Sequence, residues 1–588
     1  MAAPLGFIRR LCALQRAVRP VGARAVAFAL LRLLASQLAP GLKMPRYRRH
    51  VPRRARHIVD GIAGFLIKQP LEEAAYYLSC VYAVLCEPNE RRTLAMYFTP
   101  PALARHIVAG VSQETTLFTK LTFMDPACGG AAFLLPAVLE LRDLLRRRGA
   151  SAADIVRAVN RQVHGVERNS VLAELARQFI RLALADELTK SRVKLDSIVR
   201  VGDALHLSML GRLPKVNVLL CNPPYRKIGA TELAWYRRRF IEVIAGQPNL
   251  YTMFMRIALD LVAPGGVIAL LTPTSYFSGP TYEPIRKAYT GHCSILRIDL
   301  IHERDNLFLG VEHDVAALVA RRRLLRPPHQ TPEVFACNAV GSWAALGAVP
   351  LSRDGGPWHL PRDASTAHAL TKSKDANWSL DQYGYRVRIG VYVWNRDKRR
   401  PRKARPKGRD RDKAVPVIWA TQIGQDGKFR FVSKSHKESR ARYILLRGND
   451  RRGVIERDCV VLQRTSSRGQ SRRLVAAALP RGFAEKYGGF VGENHTIILE
   501  PTSSRPLVSR RTLARLLNSE FIRDLYSTTT GTTAVTKAGL AALPLPDPRA
   551  LKGLGQRQQT LEQAIRRGFG VRSPSVRGDG AYAKAPTP

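Results

Sequence analysis

The sequence predicts an α/β fold with a doubly wound, mostly parallel sheet, followed by a second domain of mixed α+β structure. Four short apolar runs each end at or just before a polar residue, namely Asp125, Glu167, Asp203 and Asn222. Segments with apolar residues at helical spacing separate these runs. This alternation is typical of a parallel sheet, in which successive strand ends meet at one edge.

Length and charge limit the classes of protein to which this chain can belong. With 588 residues it is too long for one hydrophobic core, so two or three domains are expected. Lys and Arg number 94 against 46 Asp and Glu, a net charge of +48. This charge favours a polyanionic partner, nucleic acid first, over a compositional bias in a soluble protein.

The eight cysteines are scattered along the chain, without the short spacing of a zinc site. We therefore predict neither a metal site nor disulfides, and a reducing, cytoplasmic setting fits. The sequence contains no uncharged apolar run of about 18 residues, so we predict no contact with a membrane.

The N-terminal segment is strongly basic. Residues 1–57 contain no Asp or Glu, and we predict a basic, disordered extension there. The composition also suits an organellar transit peptide, although such peptides are richer in Ser. From residue 58 apolar residues recur at helical spacing, and Thr99 followed by proline is predicted to cap a helix that ends near Gly110.

A glycine-rich loop, Asp125-Pro-Ala-Cys-Gly129-Gly-Ala131, follows the first of the four strands. Glycines let the backbone approach a ligand closely, and a carboxylate accepts hydrogen bonds from ammonium or hydroxyl groups. The loop lacks the G-x-G-x-x-G pattern of dinucleotide sites and the Lys-Ser/Thr of phosphate-binding loops. It therefore favours a cationic or neutral ligand, with a purely structural turn as the alternative.

Two further carboxylates follow the next strands. Glu167 is placed to bind two ribose hydroxyls, unless it is a solvated acid at a strand end, and Asp203 follows the third strand. Three carboxylates at one sheet edge without a metal-binding pattern suit a nucleoside with an amino acid tail. S-adenosylmethionine fits that description.

The fourth strand, predicted over residues 216–221, ends in Asn222-Pro-Pro-Tyr225. The two prolines cannot continue a hydrogen-bonded ladder, so the chain turns there. An amide, a backbone carbonyl and an aromatic ring are thus presented at the carboxyl end of a strand, where ligands bind in open α/β sheets. Together they can hold a planar amino group and stack on a flat ring.

In this order, the motifs resemble those of the gamma-type N6-adenine DNA methyltransferases, class I enzymes that include the modification methylases of restriction–modification systems. The resemblance covers about residues 92–325. Tyr97-Phe-Thr-Pro100 is similar to the family's N-terminal cofactor motif, Asp125-Pro-Ala-Cys-Gly129 to its glycine-rich motif, and Asn222-Pro-Pro-Tyr225 to its catalytic motif. The family usually has a second glycine where this chain has Ala131, and alanine is costly where φ must be positive.

The resemblance implies methyl transfer from S-adenosylmethionine to N6 of an adenine flipped out of duplex DNA. The implied cofactor-binding residues are Tyr97, Thr99, Asp125, Ala127, Gly129, Glu167 and Asp203, and the implied catalytic residues are Asn222, Pro223, Pro224 and Tyr225. In that mechanism the Asn222 side-chain oxygen and the Pro223 carbonyl accept hydrogen bonds from N6. The ring of Tyr225 stacks on the base.

Three further side chains of this region are also interpreted. Phe308 is a candidate for a second base-stacking aromatic residue, and a core position is the alternative. Because no covalent enzyme intermediate is needed, Cys128 and Cys221 are interpreted as small buried apolar residues.

After residue 325 the alternation of strand and helix fades. Residues 58–325 are therefore assigned to the methyltransferase domain with its N-terminal helical part, residues 326–550 to an α+β target-recognition domain, and residues 551–588 to a tail. The basic run 397–413 is predicted to be a loop that follows phosphates, with a disordered insertion as the alternative. Arg464, Arg468, Arg472 and Arg473 are candidates for DNA contacts, or belong to a solvated basic loop.

The sequence thus predicts a site-specific adenine methyltransferase of the cytoplasm that acts on double-stranded DNA and joins the nucleoid when bound to it. A separate restriction endonuclease is a further candidate partner, because no nuclease domain is apparent. Two alternatives stay open. One is N-methylation of RNA or of a protein amide, and the other is a non-catalytic nucleic-acid-binding subunit with the same fold.

Overall fold

The chain forms two compact units, residues 1–345 with 350–356, and residues 346–349 with 357–588. The first unit extends past the predicted boundary at residue 325, because further strands join its sheet. The structure is a computed structural model, and it describes residues 5–18, 22–45, 51–93, 96, 98–115, 118–246, 249–301, 315–325, 331–337, 342–361, 363–372, 378–397, 399–431, 442–446, 451, 453–465, 474–527, 535–551 and 558–569.

Helices precede the sheet in the first unit. They are α1 (Leu5–Ala17), α2 (Ala23–Leu38), α3 (Arg56–Leu66), α4 (Leu71–Leu85), α5 (Pro88–Thr93) and α6 (Pro101–Gln113). Leu14, Leu30 and Leu34 are fully buried, and α2 packs against α4. The prediction that residues 1–57 are disordered is therefore wrong for their described part. Ala and Leu favour helix, and the apolar faces of these helices are covered by their neighbours.

The start of α6 also differs from the prediction. Its N-cap is Pro100, which provides no side-chain cap, and Pro101 occupies the first helical position. Thr99, the predicted cap, lies one residue outside the helix. Its hydroxyl is therefore available for a contact elsewhere, which proves to be in the candidate site.

The central part of the sheet is parallel. Its elements are β1 (Phe123–Asp125), α7 (Leu134–Arg147), α8 (Ala152–Gln162), β2 (Val163–Glu167), α9 (Ser170–Ala183), α10 (Ala185–Lys190), β3 (Val199–Val201), α11 (Ala204–Met209) and β4 (Val216–Cys221). The strands lie in the order β3-β2-β1-β4, with every neighbouring pair parallel. The apolar residues of β4 are buried, as expected for a strand covered on both faces.

Beyond β4 the sheet becomes mixed. The elements are α12 (Ala230–Phe240), α13 (Leu250–Leu261), β5 (Val262–Pro273), α14 (Ser275–Ser278), α15 (Glu283–His292), β6 (Cys293–Ile301), β7 (Val315–Arg322), β8 (Glu333–Cys337) and β9 (Trp343–Ala348). The complete order is β3-β2-β1-β4-β5-β7-β6-β8-β9, in which β7 is antiparallel to both of its neighbours. This confirms the predicted doubly wound, mostly parallel sheet.

The second unit combines two small sheets, whose strand pairs are antiparallel except for the parallel pair β12–β16, with helices, which confirms the predicted α+β class. It contains α16 (Ala364–Lys372), β10 (Tyr385–Ile389), β11 (Arg400–Arg402), β12 (Ala414–Ile418), β13 (Tyr443–Leu445), β14 (Val460–Gln463), β15 (Ala476–Ala478), α17 (Phe483–Tyr487), β16 (Val491–Gly492), β17 (Thr496–Pro501), α18 (Arg510–Leu517), α19 (Glu520–Ser527), α20 (Lys537–Ala541) and α21 (Gln558–Gly568). One sheet has the order β10-β17-β14-β15 and the other β11-β13-β12-β16.

The basic run 397–413 is not a loop throughout. β11 lies inside it and pairs antiparallel with β13. Arg399 is buried, and its guanidinium donates to both carboxylate oxygens of Asp397. Part of the charge of this run therefore supports the fold.

Among the described residues, no helix combines the length and the apolar character needed to span a bilayer.

Candidate active site

The carboxyl ends of the parallel strands bring four predicted site residues into a row. Asp125 ends β1 and Glu167 ends β2, whereas Asp203 lies two residues after β3 and Asn222 directly after β4. Since β3, β2, β1 and β4 are neighbours in this order, the four side chains lie along one edge of the sheet. Their arrangement follows from strand order and not from proximity in the sequence.

A cleft of about 870 Å³ opens at this edge. Its walls are formed by Met96, Phe98, Thr99, Asp125, Pro126, Ala127, Cys128, Gly129, Ala132, Phe133, Glu167, Arg168, Leu172, Gly202, Asp203, Ala204, Leu205, Asn222, Pro224, Tyr236, Leu250 and Phe254. The structure thus gathers most of the predicted cofactor-binding and catalytic residues around one cavity. Pro223 and Tyr225 lie beside it without lining it, and Tyr97 lies outside the described residues.

The glycine-rich loop is fixed by hydrogen bonds from its backbone amides to residues of β2. The Cys128 amide donates to the Val166 carbonyl at 3.0 Å, and the Gly129 amide donates to Glu167 Oε2 at 2.9 Å. Gly129 has a φ of +53°, and a Cβ there would lie 3.3 Å from the ring of Phe98. A side chain at this position would therefore be strained and would crowd the ring.

Ala131 adopts a φ of +68°, the left-handed conformation that a glycine accommodates better. It is the one non-glycine residue with positive φ in the described part of the chain. The departure from the family pattern thus falls on a position with a real conformational cost, about 1–2 kcal/mol for an L-residue. The buried methyl group of Ala131 packs in the core and offsets part of that cost.

Glu167 supports the loop and faces the cavity at the same time. Its Oε2 accepts from Gly129, and its Oε1 accepts from the Asn169 amide at 2.7 Å. Burial raises the pKa of Glu167, while the backbone donors oppose that rise. Each carboxylate oxygen can accept a second hydrogen bond. Glu167 can therefore receive a pair of ligand hydroxyl groups without releasing the loop.

Asp125 is the most deeply buried acid of the cleft, with 1% of its surface exposed. Its Oδ1 accepts from the Ala127 amide at 3.0 Å. Burial raises the pKa of Asp125 to about 8, and the charge of Glu167 adds to the rise, although the Ala127 amide opposes it. A cationic group placed beside Asp125 would stabilise the ionised carboxylate.

Asp203 has a structural task besides its place in the cleft. Its Oδ1 accepts from the Leu205 and His206 amides at 3.0 and 3.3 Å and so caps α11. Its Oδ2 lies 3.9 Å from the guanidinium of Arg168. The side chain is partly exposed, so this oxygen remains within reach of a ligand.

Asn222 is held by a residue that lies 123 positions earlier in the chain. Its Nδ2 donates to the hydroxyl oxygen of Thr99 at 3.0 Å, and Thr99 is buried. Because the amide nitrogen faces Thr99, the amide oxygen points to the other side of the group. This bond orients the acceptor oxygen of the predicted catalytic amide.

Tyr225 is anchored through its hydroxyl group, which donates to the Leu271 carbonyl at 2.9 Å. Its ring meets that of Tyr251 edge to face, with centroids 6.3 Å apart. Burial raises the pKa of Tyr225 well above its usual value, so it stays protonated. The hydroxyl bond fixes the plane of the ring next to Asn222.

The two cysteines near the loop behave as predicted. Cys128 and Cys221 are buried, and burial raises the pKa of both thiols well above the usual range. Neither is present as a reactive thiolate at neutral pH.

Several cavity residues were not predicted from the sequence, above all Phe98, Arg168, Tyr236, Leu250 and Phe254. Tyr236 comes from α12 and the last two come from α13. The helical spacing of Leu250 and Phe254 indicates that this side of α13 is buried. It does not reveal that a cavity adjoins that face. Phe98 and Arg168 are direct neighbours of predicted site residues, and this adjacency is the signal that was available.

The predicted DNA contacts are mostly outside the described residues, as is Phe308. Arg468, Arg472 and Arg473 cannot be placed for that reason. Arg464 is described, and its Nη1 donates to the Asn494 carbonyl at 3.0 Å. That bond uses part of its guanidinium for the fold of the second unit.

Residues 79–342 match the family described as N-6 DNA Methylase. Over 97 residues, which are 16% of this chain and 18% of the relative, the chain is 34% identical to the type II methyltransferase M.PstI of Providencia stuartii. It is 22% identical to the type II methyltransferase M.BsuBI of Bacillus subtilis over 398 residues, which are 63% of this chain and 75% of the relative. The family resemblance is therefore confirmed.

A solved structure shares the fold over nearly the whole chain. The type IIL restriction-modification enzyme MmeI, in complex with DNA, aligns with 98% of this chain and 97% of its own chain at a TM-score of 0.55. The sequence identity is 12%, so this likeness concerns the fold alone.

The cleft suits S-adenosylmethionine, the cofactor that the family match supports. Asp125 is a buried acid whose raised pKa a cationic ligand would reverse, and Glu167 has acceptor sites for a diol. Gly129 lines the cleft and has no side chain that would cover the loop backbone there. These acceptor groups suit a ligand with a cationic amino acid end and a sugar.

Proposed function

From the match of residues 79–342 to the N-6 DNA Methylase family, we infer that the chain is a site-specific, adenine-directed DNA methyltransferase. It transfers a methyl group from S-adenosylmethionine to N6 of an adenine in double-stranded DNA. It serves as the modification part of a restriction–modification or related defence system, with a separate restriction endonuclease as its counterpart. The bond between Asn222 and Thr99, at the edge of a cleft lined by three acids, is the observation that carries this proposal.

Four residues of the sheet edge would hold the cofactor. Asp125 receives the cationic amino acid end, Glu167 accepts from the two ribose hydroxyls, and Asp203 accepts from the adenine amino group. The Gly129 backbone gives the ligand room. When bound, S-adenosylmethionine supplies a methyl group activated by a sulfonium centre.

Asn222 and Pro223 prepare the acceptor nitrogen. N6 of adenine is a weak nucleophile, because its lone pair is delocalised into the ring. Hydrogen bonds from N6 to the Asn222 amide oxygen and the Pro223 carbonyl favour a pyramidal nitrogen with a localised lone pair. Thr99 holds the amide of Asn222 in the required orientation before substrate arrives. Preorganised acceptors of this kind contribute because they need not reorganise during the reaction.

Tyr225 supplies a surface for the extruded base. An adenine inside a duplex cannot reach the cleft, so the base must leave the stack. The bond of the Tyr225 hydroxyl to Leu271 fixes the ring, and stacking on a fixed aromatic ring contributes about 1–3 kcal/mol. Phe308 stays the candidate for the opposite wall.

Transfer of a labelled methyl group to duplex DNA tests the proposal. Purified protein is expected to label adenine, and Asn222→Ala is expected to reduce the rate by at least about a hundredfold while cofactor binding is retained. Binding of the cofactor by the variant, followed by calorimetry, serves as the control for folding. Labelling of RNA in preference to duplex DNA, or no labelling despite bound cofactor, would contradict the proposal.

A further inference from the structure

Helix α12 has an outer face that the mechanism above does not use. The helix starts at Ala230, shortly after the catalytic motif. Tyr236 lines the cleft and Phe240 is fully buried, so these two residues fix which side of the helix faces inward. Trp235, Arg237 and Arg238 are exposed on the remaining surface. We call these three residues the outer face of α12.

Some charged side chains of this region form salt bridges, whereas others do not. Both oxygens of Glu232, the one acid in the sequence of α12, accept from Arg226 at 2.7 Å. Arg239 pairs with Asp260 at 2.7 Å. Within the part of the chain that the structure describes, neither Arg237 nor Arg238 forms an ion pair. Two adjacent guanidinium groups are thus left with their charge uncompensated beside the cleft.

Trp235 adds an aromatic ring to this surface. It is 48% exposed, and its other side stacks on His206 with ring centroids 5.3 Å apart. Trp235 and Arg238 are three positions apart on the helix, so their side chains are neighbours. Exposure of the apolar tryptophan ring to water is unfavourable. Together with the neighbouring arginines, the ring forms a surface that suits a partner with both anionic and apolar parts.

We propose that the outer face of α12 binds the sugar–phosphate backbone of duplex DNA beside the base that enters the cleft. The inference rests on the proposed function and names a contact of the same site. Arg237 and Arg238 are successive residues and project in directions about 100° apart around the helix, so they meet different phosphates. Trp235 packs against the sugar between these contacts. The Arg226–Glu232 pair ties the start of α12 to the residue that follows Tyr225, so this surface has a fixed place relative to the catalytic motif.

The test compares two double variants with the same loss of charge. R237Q/R238Q removes the two uncompensated cations of the outer face. R192Q/K194Q removes two exposed cations from the segment before β3, at the amino end of the sheet and so away from the cleft. The affinity of each full-length protein for a duplex is measured by fluorescence anisotropy over a series of salt concentrations. Cofactor binding confirms that each variant is folded.

The slope of log affinity against log salt concentration reports the number of phosphates contacted. In R237Q/R238Q this slope is expected to decrease by about 2, with roughly a fiftyfold loss of affinity at 0.1 M salt. R192Q/K194Q is expected to keep the slope of the wild type. In Trp235→Ala the affinity is expected to fall on the order of tenfold with an unchanged slope, because no charge is removed.

Equal slopes for R237Q/R238Q and the wild type would overturn the inference, as would equal losses in both double variants. The proposed function fails separately. If the wild type methylates no DNA but R237Q/R238Q still loses two units of slope, the backbone-binding surface stands and the catalytic assignment falls. If the wild type methylates adenine and R237Q/R238Q keeps the slope of the wild type, the catalytic assignment stands and the backbone-binding surface falls.

Discussion

Thr99 and Asn222 are separated by 123 positions in the chain, yet a hydrogen bond between them orients the amide for which we propose a catalytic role. An asparagine side chain has a donor end and an acceptor end, and only the acceptor end can receive the amino group of adenine. The Thr99 hydroxyl binds the donor end. The orientation of Asn222 is therefore a property of the folded domain and not of the Asn222-Pro-Pro-Tyr225 motif.

Thr99→Val keeps the shape of the side chain and removes the hydroxyl group. The turnover rate is expected to fall about tenfold, which corresponds to the loss of one buried hydrogen bond. The dissociation constant of the cofactor is expected to change less than the turnover rate. Thr99→Ser retains the hydroxyl and should restore most of the rate. If both variants lose the rate equally, packing and not the hydrogen bond is responsible.

Asp125 links the cleft to stability. Its pKa is raised from 3.8 to about 8, so between these pH values the folded, ligand-free protein holds more protons than the unfolded chain. The free energy of unfolding therefore decreases as the pH rises through this window. Ionisation of the buried Asp125 thus destabilises the ligand-free protein, and a bound cationic ligand would offset this destabilisation.

Asp125→Asn replaces the ionisable carboxyl group by a neutral amide and so removes this destabilisation. In the absence of cofactor, the free energy of unfolding of the variant minus that of the wild type is expected to increase by roughly 3 kcal/mol from about pH 5 to pH 8. Urea unfolding at several pH values measures this difference. Cofactor binding by the variant should be weaker. A stability difference that does not change with pH would show that Asp125 is already ionised in the ligand-free protein.

At the scale of elements, α4 packs closely against the glycine-rich loop. A Cβ added at Gly130 would overlap the hydroxyl of Ser79 on α4. Gly130→Ala is therefore expected to lower the free energy of unfolding by about 1–3 kcal/mol, the usual range for overpacking. Thermal unfolding of the purified protein measures the loss.

Ser79→Gly supplies the control for this contact, because it removes the atoms that the methyl group introduced by Gly130→Ala would meet. Gly130→Ala combined with Ser79→Gly should then be more stable than the sum of the two single changes predicts. Strictly additive effects would mean that the overlap with Ser79 does not explain the loss.

Helix α2 tests the correction at the N-terminus. Leu34 is fully buried, whereas Leu38 on the same helix is 42% exposed. Leu34→Ala is expected to cost about 2–5 kcal/mol of the free energy of unfolding, and Leu38→Ala is expected to cost much less. If residues 1–57 were disordered, neither change would alter unfolding measured by urea titration.

Elements with a strong local signal are predicted well from the sequence. β4 occupies the residues over which it is predicted. The start of α6 is missed, because Thr99 and Pro100 both have cap-like character and only the fold decides between them. α1 and α2 are missed when composition is weighed above apolar spacing. A helix whose one face is buried can carry basic residues on its exposed face.

The whole molecule is dominated by its charge of +48. Such a chain is expected to bind duplex DNA of any sequence with an affinity that falls on the order of a thousandfold between about 50 and 200 mM salt, given roughly six or more phosphate contacts. Anisotropy measured with unrelated duplexes checks this expectation. A weak dependence on salt would indicate that most of these charges are engaged within the protein, as Arg399 is with Asp397.

By itself, the sequence determined the fold class, the order of the motifs and the three acids that line the cleft. Strand periodicity and the residue at each strand end are local properties, and parallel strands place their ends at one edge. Only the tertiary structure decided what orients Asn222 and which aromatic residues enclose the cleft. It also decided that Ala131 takes the left-handed conformation. Those features depend on contacts between residues distant in the chain, and no local pattern encodes such contacts.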